Sequence, residues 1–304
     1  MPSGSLRHRA GAFSIAILAG AALALTACGE KKDETTAQPA KPTSAADPKL
    51  AAMVPAAIKS DGKIVVGVDA SYPPNEFLNT DGKTVIGWDR EAFDAVAAKL
   101  GLKTEWTSGN FDAIIPAVQS GKFETGVSSF TINAERLKQV NMVSYFNAGT
   151  QWASKKGNPG GVQPDAACGK KVAVQKGTVQ VDDLEKRTKT CTSSGKPAIK
   201  VDQYVKQEDA TAALVSGKDE AGLADSPVMA YAVKQTNGQL DLLGQIYDAA
   251  PYGFVVGKDQ QQFAQAISEA TKALIADGTF NKIFQKWGVQ AGAIQQSVVN
   301  PPVS

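Results

Sequence analysis

With 32 basic and 30 acidic side chains in 304 residues, the chain carries a formal charge of only +2, and its one histidine, His8, falls within the first ten positions. That balance excludes a basic nucleic-acid footprint. The position of His8 excludes histidine-based triads and histidine-ligated metal sites from the rest of the chain.

Arg7-His8-Arg9 precedes an apolar run from Ala10 to Leu25, shorter than the about 20 residues that a spanning helix needs, as in an export signal peptide. The run closes in Leu25-Thr26-Ala27-Cys28, which resembles the lipobox of bacterial lipoproteins. Residues 1–27 are therefore expected to be removed, and Cys28 to be lipidated and to hold the protein at the outer side of the cell membrane. Removal takes two arginines and no acid, so the formal charge falls from +2 to zero. Residues 28–59 are expected to form a flexible tether, most clearly from Gly29 to Pro48, where large apolar residues are almost missing.

Beyond Ser60, about 240 residues suffice for two cores. Ile64-Val65-Val66-Gly67-Val68 reads as a buried strand, and Asp81-Gly82 as the turn between strands Glu76-Phe77-Leu78 and Thr84-Val85-Ile86. Asp89 is suited to cap a helix with Phe93, Val96, Ala97 and Leu100 on one face, ended by Gly101. A strand from Thr104 to Thr107 and a helix from Phe111 to Ser120 follow. Strands alternating with helices imply a parallel-rich sheet.

The stretch from Ser128 to Arg136 reads as a strand end opening onto a helix start. Asn133 is placed as N-cap, with Ile132 and Leu137 spaced as a hydrophobic staple. Arg136 then falls in the first helical turn, where a cation opposes the helix dipole and a bound anion would repair the mismatch. An ordinary surface arginine in water fits the same pattern.

Ser120-Gly121-Lys122-Phe123-Glu124-Thr125-Gly126-Val127-Ser128-Ser129 is echoed by Ser216-Gly217-Lys218-Asp219-Glu220-Ala221-Gly222-Leu223-Ala224-Asp225. The echo predicts two lobes of one plan, each with a polar residue at a strand's carboxyl end, where open α/β sheets place ligands. It sets Asp225 opposite Ser129. Strand Lys171–Gln175, the turn Lys176-Gly177-Thr178 and a helix to Thr190 repeat the plan of the first lobe. A helix from Pro227 to Thr236, a strand near Leu240 to Ile246 and a crossing strand from Pro251 follow. Two amphipathic helices then end at Trp287, and the tail from Val289 reads as loose or draped on a lobe. Cys168 and Cys191 are expected to pair in an oxidising compartment, for roughly 3 kcal/mol in the chain-entropy picture.

Val68-Asp69-Ala70-Ser71-Tyr72-Pro73-Pro74-Asn75-Glu76-Phe77, Gly87-Trp88-Asp89, Phe111 to Ala117, Thr131 with Glu135-Arg136, Gln175-Lys176-Gly177-Thr178 and Asp277-Gly278-Thr279-Phe280 stand in this order. Together they make Ile64 to Trp287 resemble a solute-binding protein of the polar amino-acid ABC transporter family. The resemblance implies a two-lobed, type II periplasmic-binding-protein-like α/β fold, with two parallel-rich sheets joined by a two-strand hinge. Lobe 1 would comprise 60–150 plus 252–288, lobe 2 would comprise 151–251, and 289–304 would be a tail. The crossings would lie near Gly149-Thr150 and Pro251-Tyr252. It assigns a ligand carboxylate to Arg136, with the backbone N–H groups of Thr131 and Thr178, and an ammonium group to Asp225, Ser129 and Thr131. The side-chain pocket falls to Asp69, Tyr72, Phe111, Ser128, Gln175 and Gln180. Asn75, Glu91 and Val179 depart from the usual pattern.

The implied function is capture of a polar amino acid, basic before glutamine, and delivery to the permease of an ABC transporter, by a monomer without cofactor, metal or catalytic residue. The alternative is an enzyme on the same fold, such as a dehydratase acting on a small carboxylate. Each site residue also has a plainer role. Asp69 can cap a turn, Tyr72 and Phe111 can be core aromatics, and Asp225 can cap the helix after it.

Overall fold

A computed structural model of the protein describes residues 44–303. The expected signal peptide, Cys28 and the start of the tether lie outside the described residues. The rest of the expected tether is not loose. Two short helices, α1 (Pro48–Met53) and α2 (Ala56–Lys59), occupy its last part. Asp47 caps α1 by accepting the Lys49 N–H at 2.8 Å, and Val54 and Ile58 are buried in the main core. The tether reading extended too far there, because Leu50, Met53 and Val54 stand at helical spacing and, with Ile58, dock the two helices on the core.

Strand β1 (Lys63–Val68) follows, then a small antiparallel sheet of β2 (Ser71–Tyr72), β3 (Glu76–Leu78) and β4 (Val85–Ile86). Next come α3 (Trp88–Lys99), β5 (Lys103–Ser108), α4 (Phe111–Gln119), β6 (Thr125–Gly126) and α5 (Ala134–Gln139). The long strand β7 (Asn141–Lys155) crosses to the second lobe, built from β8 (Lys171–Gln175), α6 (Val179–Ser193), β9 (Lys200–Tyr204), α7 (Gln207–Ser216), β10 (Ala221–Asp225) and α8 (Ser226–Gln235). Strand β11 (Leu240–Val256) crosses back, and α9 (Gln261–Ala276) and α10 (Thr279–Trp287) complete the first lobe.

The eight main strands run in the order β5-β1-β6-β11-β7-β10-β8-β9. The two sheets expected from the sequence are thus halves of one hydrogen-bonded array that share β7 and β11. The order is mirrored about that pair, which is the structural form of the sequence echo. Helices α4 and α7 each stop at a glycine with positive φ, Gly121 at 75° and Gly217 at 80°, and β6 and β10 each lie beside a crossing strand. Only glycine takes that conformation without a Cβ penalty.

The first core packs α3, α9 and α10 on the sheet through Trp88, Phe93, Phe254, Phe263 and Phe284; each fully buried side chain of this size contributes about 1.5–3 kcal/mol. The second core includes Trp152, Val172, Leu184 and Leu223. Cys168 and Cys191 are bonded in it, with Cα atoms 5.6 Å apart.

Candidate functional site

The carboxyl ends of the central strands and the starts of the helices after them converge on one enclosed cavity. From the first lobe it receives Asp69 just after β1, Tyr72 on β2, Phe111 at the start of α4, Ser128, Ser129 and Thr131 after β6, and Arg136 from α5. From the second it receives Gln175 at the end of β8, Thr178, Val179 and Gln180 around the start of α6, and Asp225 at the end of β10. Every site residue expected from the sequence therefore lines the same cavity, joined by Val179.

Asn133 caps α5 by accepting the Arg136 N–H at 2.8 Å, so Arg136 stands in the first turn as its spacing requires. Its side chain is only 8% exposed, which removes the surface-arginine reading. The guanidinium donates to the Thr131 carbonyl at 2.7 Å and, across the lobes, to the Gly177 carbonyl at 3.2 Å. It lies 5.4 Å from the ring centres of both Phe111 and Phe130. Burial lowers its pKa to about 10, against the pull of Asp225 and Asp182, so it stays charged at neutral pH.

Asp225 is the N-cap residue of α8, yet its side chain makes no capping bond. Its carboxylate instead accepts from Gln180 at 2.7 Å and from the Tyr252 hydroxyl at 2.6 Å. Its backbone N–H donates to the Tyr72 hydroxyl at 3.1 Å, another contact between lobes. Burial raises its pKa, opposed by those hydrogen bonds and by Arg136. The cavity thus has a buried cation on one wall and a buried anion on the other.

Asp69 accepts from the Phe111 N–H at 3.1 Å and from the Gln175 amide at 2.8 Å. Burial raises its pKa, while Ser71, Phe111, Gln175 and, more weakly, Lys206 hold it down. Lys206 precedes α7 and was not apparent as a neighbour of Asp69 in the sequence, because only the tertiary fold brings the two together. Lys176, beside the site in sequence, pairs with Asp112 at 2.8 Å instead of lining the cavity. No side chain caps α6, a 15-residue helix that opens at the cavity, so the free N–H groups of its first turn favour an anion.

Asp89 is not the helix cap the sequence suggested. Gly87 holds that position, and Asp89 accepts the Ser129 N–H at 2.9 Å. Asn75, one of the departures from pattern, bridges Trp88 Nε1 and the Ser129 hydroxyl, each at 2.8 Å. Glu91 pairs with Lys286 at 2.6 Å on the surface of the first lobe. Thr150 and Tyr252, which hold Gln180 and Asp225, were also missed, since both sit within the crossing strands and look like sheet residues.

As folded, the walls leave about 10 Å³ free, roughly the room of one water. The Asp69–Gln175 contact, the Arg136–Gly177 contact and the Lys176–Asp112 ion pair all join the lobes, so this is a closed state. Among the described residues no group of three His, Cys, Asp or Glu side chains is arranged to hold a metal, and no helix is long and apolar enough to cross a membrane.

Arginine-binding protein ArgT of Corynebacterium glutamicum is 34% identical over 254 residues, covering 83% of each chain. An ancestral arginine-binding protein solved with arginine superposes with a TM-score of 0.69 at 35% identity, covering 74% of this chain and 98% of that one; it is also solved with glutamine. The ancestral amino-acid-binding protein AncCDT-1, a precursor of cyclohexadienyl dehydratase, superposes with a TM-score of 0.68 at 30% identity, covering 76% of this chain and 97% of that one. Residues 64–290 match the family of bacterial extracellular solute-binding proteins, family 3, and the chain belongs to that family.

Proposed function

We propose that this protein captures a basic amino acid between its lobes and delivers it to the permease of an ABC transporter. The observation that carries the reading is the placement of Arg136 and Asp225 on opposite walls of one buried cavity. A zwitterion is the ligand that satisfies both. Its carboxylate pairs with the Arg136 guanidinium, helped by the N–H groups of Thr131 and the Thr178 turn, and its ammonium group with Asp225, Ser129 and the Thr131 hydroxyl. Because the two partners belong to different lobes, the ligand binds the closed state better than the open one and drives closure.

The distal pocket of Asp69, Tyr72, Phe111, Ser128, Gln175 and Gln180 favours a guanidinium or ammonium group, through Asp69 and two aromatic faces worth ~0.5–2 kcal/mol. Lysine, arginine and histidine rank first, and glutamine second, as an amide donor to Asp69. The arginine-binding relatives support that order. Glutamate and aspartate would set a second carboxylate against Asp69 and rank low. The Gln175 amide and the Phe111 N–H both reach Oδ2 of Asp69, so the carboxylate keeps acceptor capacity for the cation.

We place lobe 1 at 60–150 plus 252–288 and lobe 2 at 151–251, and read the chain as a monomer held at the extracytoplasmic face of the cell membrane through lipid on Cys28. A binding role is preferred over a dehydratase because the cavity has no histidine, and each of its acids is engaged by donors from within the protein. A thermal-shift screen of the free amino acids tests the reading, since ligand at 100 times its Kd stabilises by about 2.7 kcal/mol. Arginine or lysine should give the largest shift. A largest shift with glutamate overturns the pocket assignment, and no shift with any amino acid overturns the function.

A further inference from the structure

Behind the cavity wall formed by Ser128 and Ser129 lie two carboxyl groups that take no part in the scheme above. Glu76 on β3 and Asp89 in the first turn of α3 are both fully buried. Glu76 lies 3.2 Å from the Ser128 hydroxyl and 3.1 Å from that of Ser129. Asp89 accepts the Ser129 N–H at 2.9 Å and lies 3.2 Å from the same Ser129 hydroxyl. The Asn75 amide donates to that hydroxyl at 2.8 Å.

The Ser129 hydroxyl has one hydrogen and two carboxyl oxygens within reach, so it serves only one of them. The other contact is attractive only if that carboxyl carries a proton. One proton on the pair makes both contacts of the Ser129 hydroxyl attractive, whereas none leaves two buried anions facing each other.

We propose that Glu76 and Asp89 share a single proton, that the anion left on the pair positions Ser129 toward the ligand's ammonium group, and that a second proton removes this anion and weakens binding in acid. The proposal rests on the amino-acid reading of the cavity. Ser129 has a positive φ of 51°, a conformation that a serine keeps only when its surroundings fix it, and the Asp89 bond to its N–H is such a restraint. The ionisable groups facing the pair are Tyr72 on β2 and Tyr145 on β7, both held neutral by burial, with Tyr252 of β11 next to Tyr145. Arg90 and Glu91, beside Asp89 on α3, are taken by Asp94 and Lys286. Burial and the charge of Asp89 raise Glu76 well above the usual carboxylate range, and burial raises Asp89 to about 6. The first proton therefore stays at neutral pH and the second arrives near pH 6.

The test is the affinity for L-arginine by calorimetry between pH 8 and pH 5. The wild type should hold its affinity above pH 7 and lose about tenfold per pH unit below pH 6, the slope of one proton. Glu76→Ala should bind more weakly at pH 7.5, and Glu76→Gln, a neutral mimic of the protonated acid, should restore most of the affinity. Asp89→Asn should lose tenfold or more at pH 7.5 and flatten the acid limb. Equal losses for Glu76→Gln and Asp89→Asn at pH 7.5, or an acid limb unchanged by Asp89→Asn, overturn the proposal. Carboxyl NMR of the free protein reads the pair without any ligand, with residue 76 un-ionised at pH 7.5 and residue 89 titrating near 6. If L-arginine fails to bind the wild type, the ligand reading fails, while an ionised Glu76 at pH 7 by NMR overturns the shared proton.

Discussion

Arg136 is the third residue of α5, a helix of only six residues, so it belongs to the last turn as much as to the first and the helix dipole does not set it apart. Its place in the helix was legible in the sequence because a cap and a staple fix the register locally, while the mismatch with the helix dipole expected there vanishes in so short a helix. The burial of its side chain beside the stacked rings of Phe111 and Phe130 was not legible, since it depends on packing from distant segments. Arg136→Ala and Asp225→Asn should each weaken amino-acid binding by about 2–5 kcal/mol, because each leaves the opposite charge of the ligand buried and unpaired. Calorimetry should show this with both variants still folded by circular dichroism, and affinities within a few-fold of wild type would contradict the assignment. Asp89 shows the reverse case, where an acid before a helical pattern reads as a cap but serves the wall of the cavity. Its effect on fold stability opposes its effect on binding. With Asp89 at about 6 when folded and about 3.8 when unfolded, the folded state holds the extra proton between those values. This group alone therefore makes the fold more stable as pH falls from about 6 toward 4. Denaturant midpoints across that range should drop more steeply toward acid for Asp89→Asn than for wild type.

The elements that carry the site are turns held by glycine and helices that open on the cavity. Gly177 has a φ of 78°, and a Cβ there would come within 2.8 Å of the Asp112 Cβ in the other lobe. Gly177→Ala should thus strain the turn by about 1–2 kcal/mol and hinder closure at the same point. A loss of amino-acid affinity of about tenfold or more is expected by calorimetry. The Cys168–Cys191 bond is set in the second core beside Leu184 and Ile199, away from the cavity lining. Replacing both cysteines by serine should lower the unfolding free energy by about 3 kcal/mol, read from denaturant melts, and leave affinity unchanged. The tail was the least legible element, being short of pattern. It pairs along the free edge of β7 through Ala293 with Phe146 and Val299 with Val143. Asn300 adds two bonds to Met142, its N–H to the Met142 carbonyl at 2.8 Å and its side chain accepting the Met142 N–H at 2.9 Å. Ending the chain after Gly288 should expose that edge, and a lower melting temperature with a tendency to associate is the expected outcome.

At the scale of the molecule, the sequence echo announced two lobes, and strand β7 or β11 showed only as separate short runs. Their continuity became visible in the fold because register shifts between Leu243 and Tyr247 and between Tyr247 and Ala250 break the strand pattern of β11. Those irregularities lie where the chain passes between lobes, next to Gly149, and mark the place where a hinge can bend. Asp69 with Gln175, Tyr72 with Asp225 and Arg136 with Gly177 join the two lobes around the cavity. In the proposed complex a zwitterion with a basic side chain bridges Arg136 and Asp225. Calorimetric titration of L-arginine against agmatine, which has the same side chain without the carboxylate, tests it most directly. L-arginine should bind at least a hundredfold more tightly than agmatine. Equal affinity for the two would contradict it.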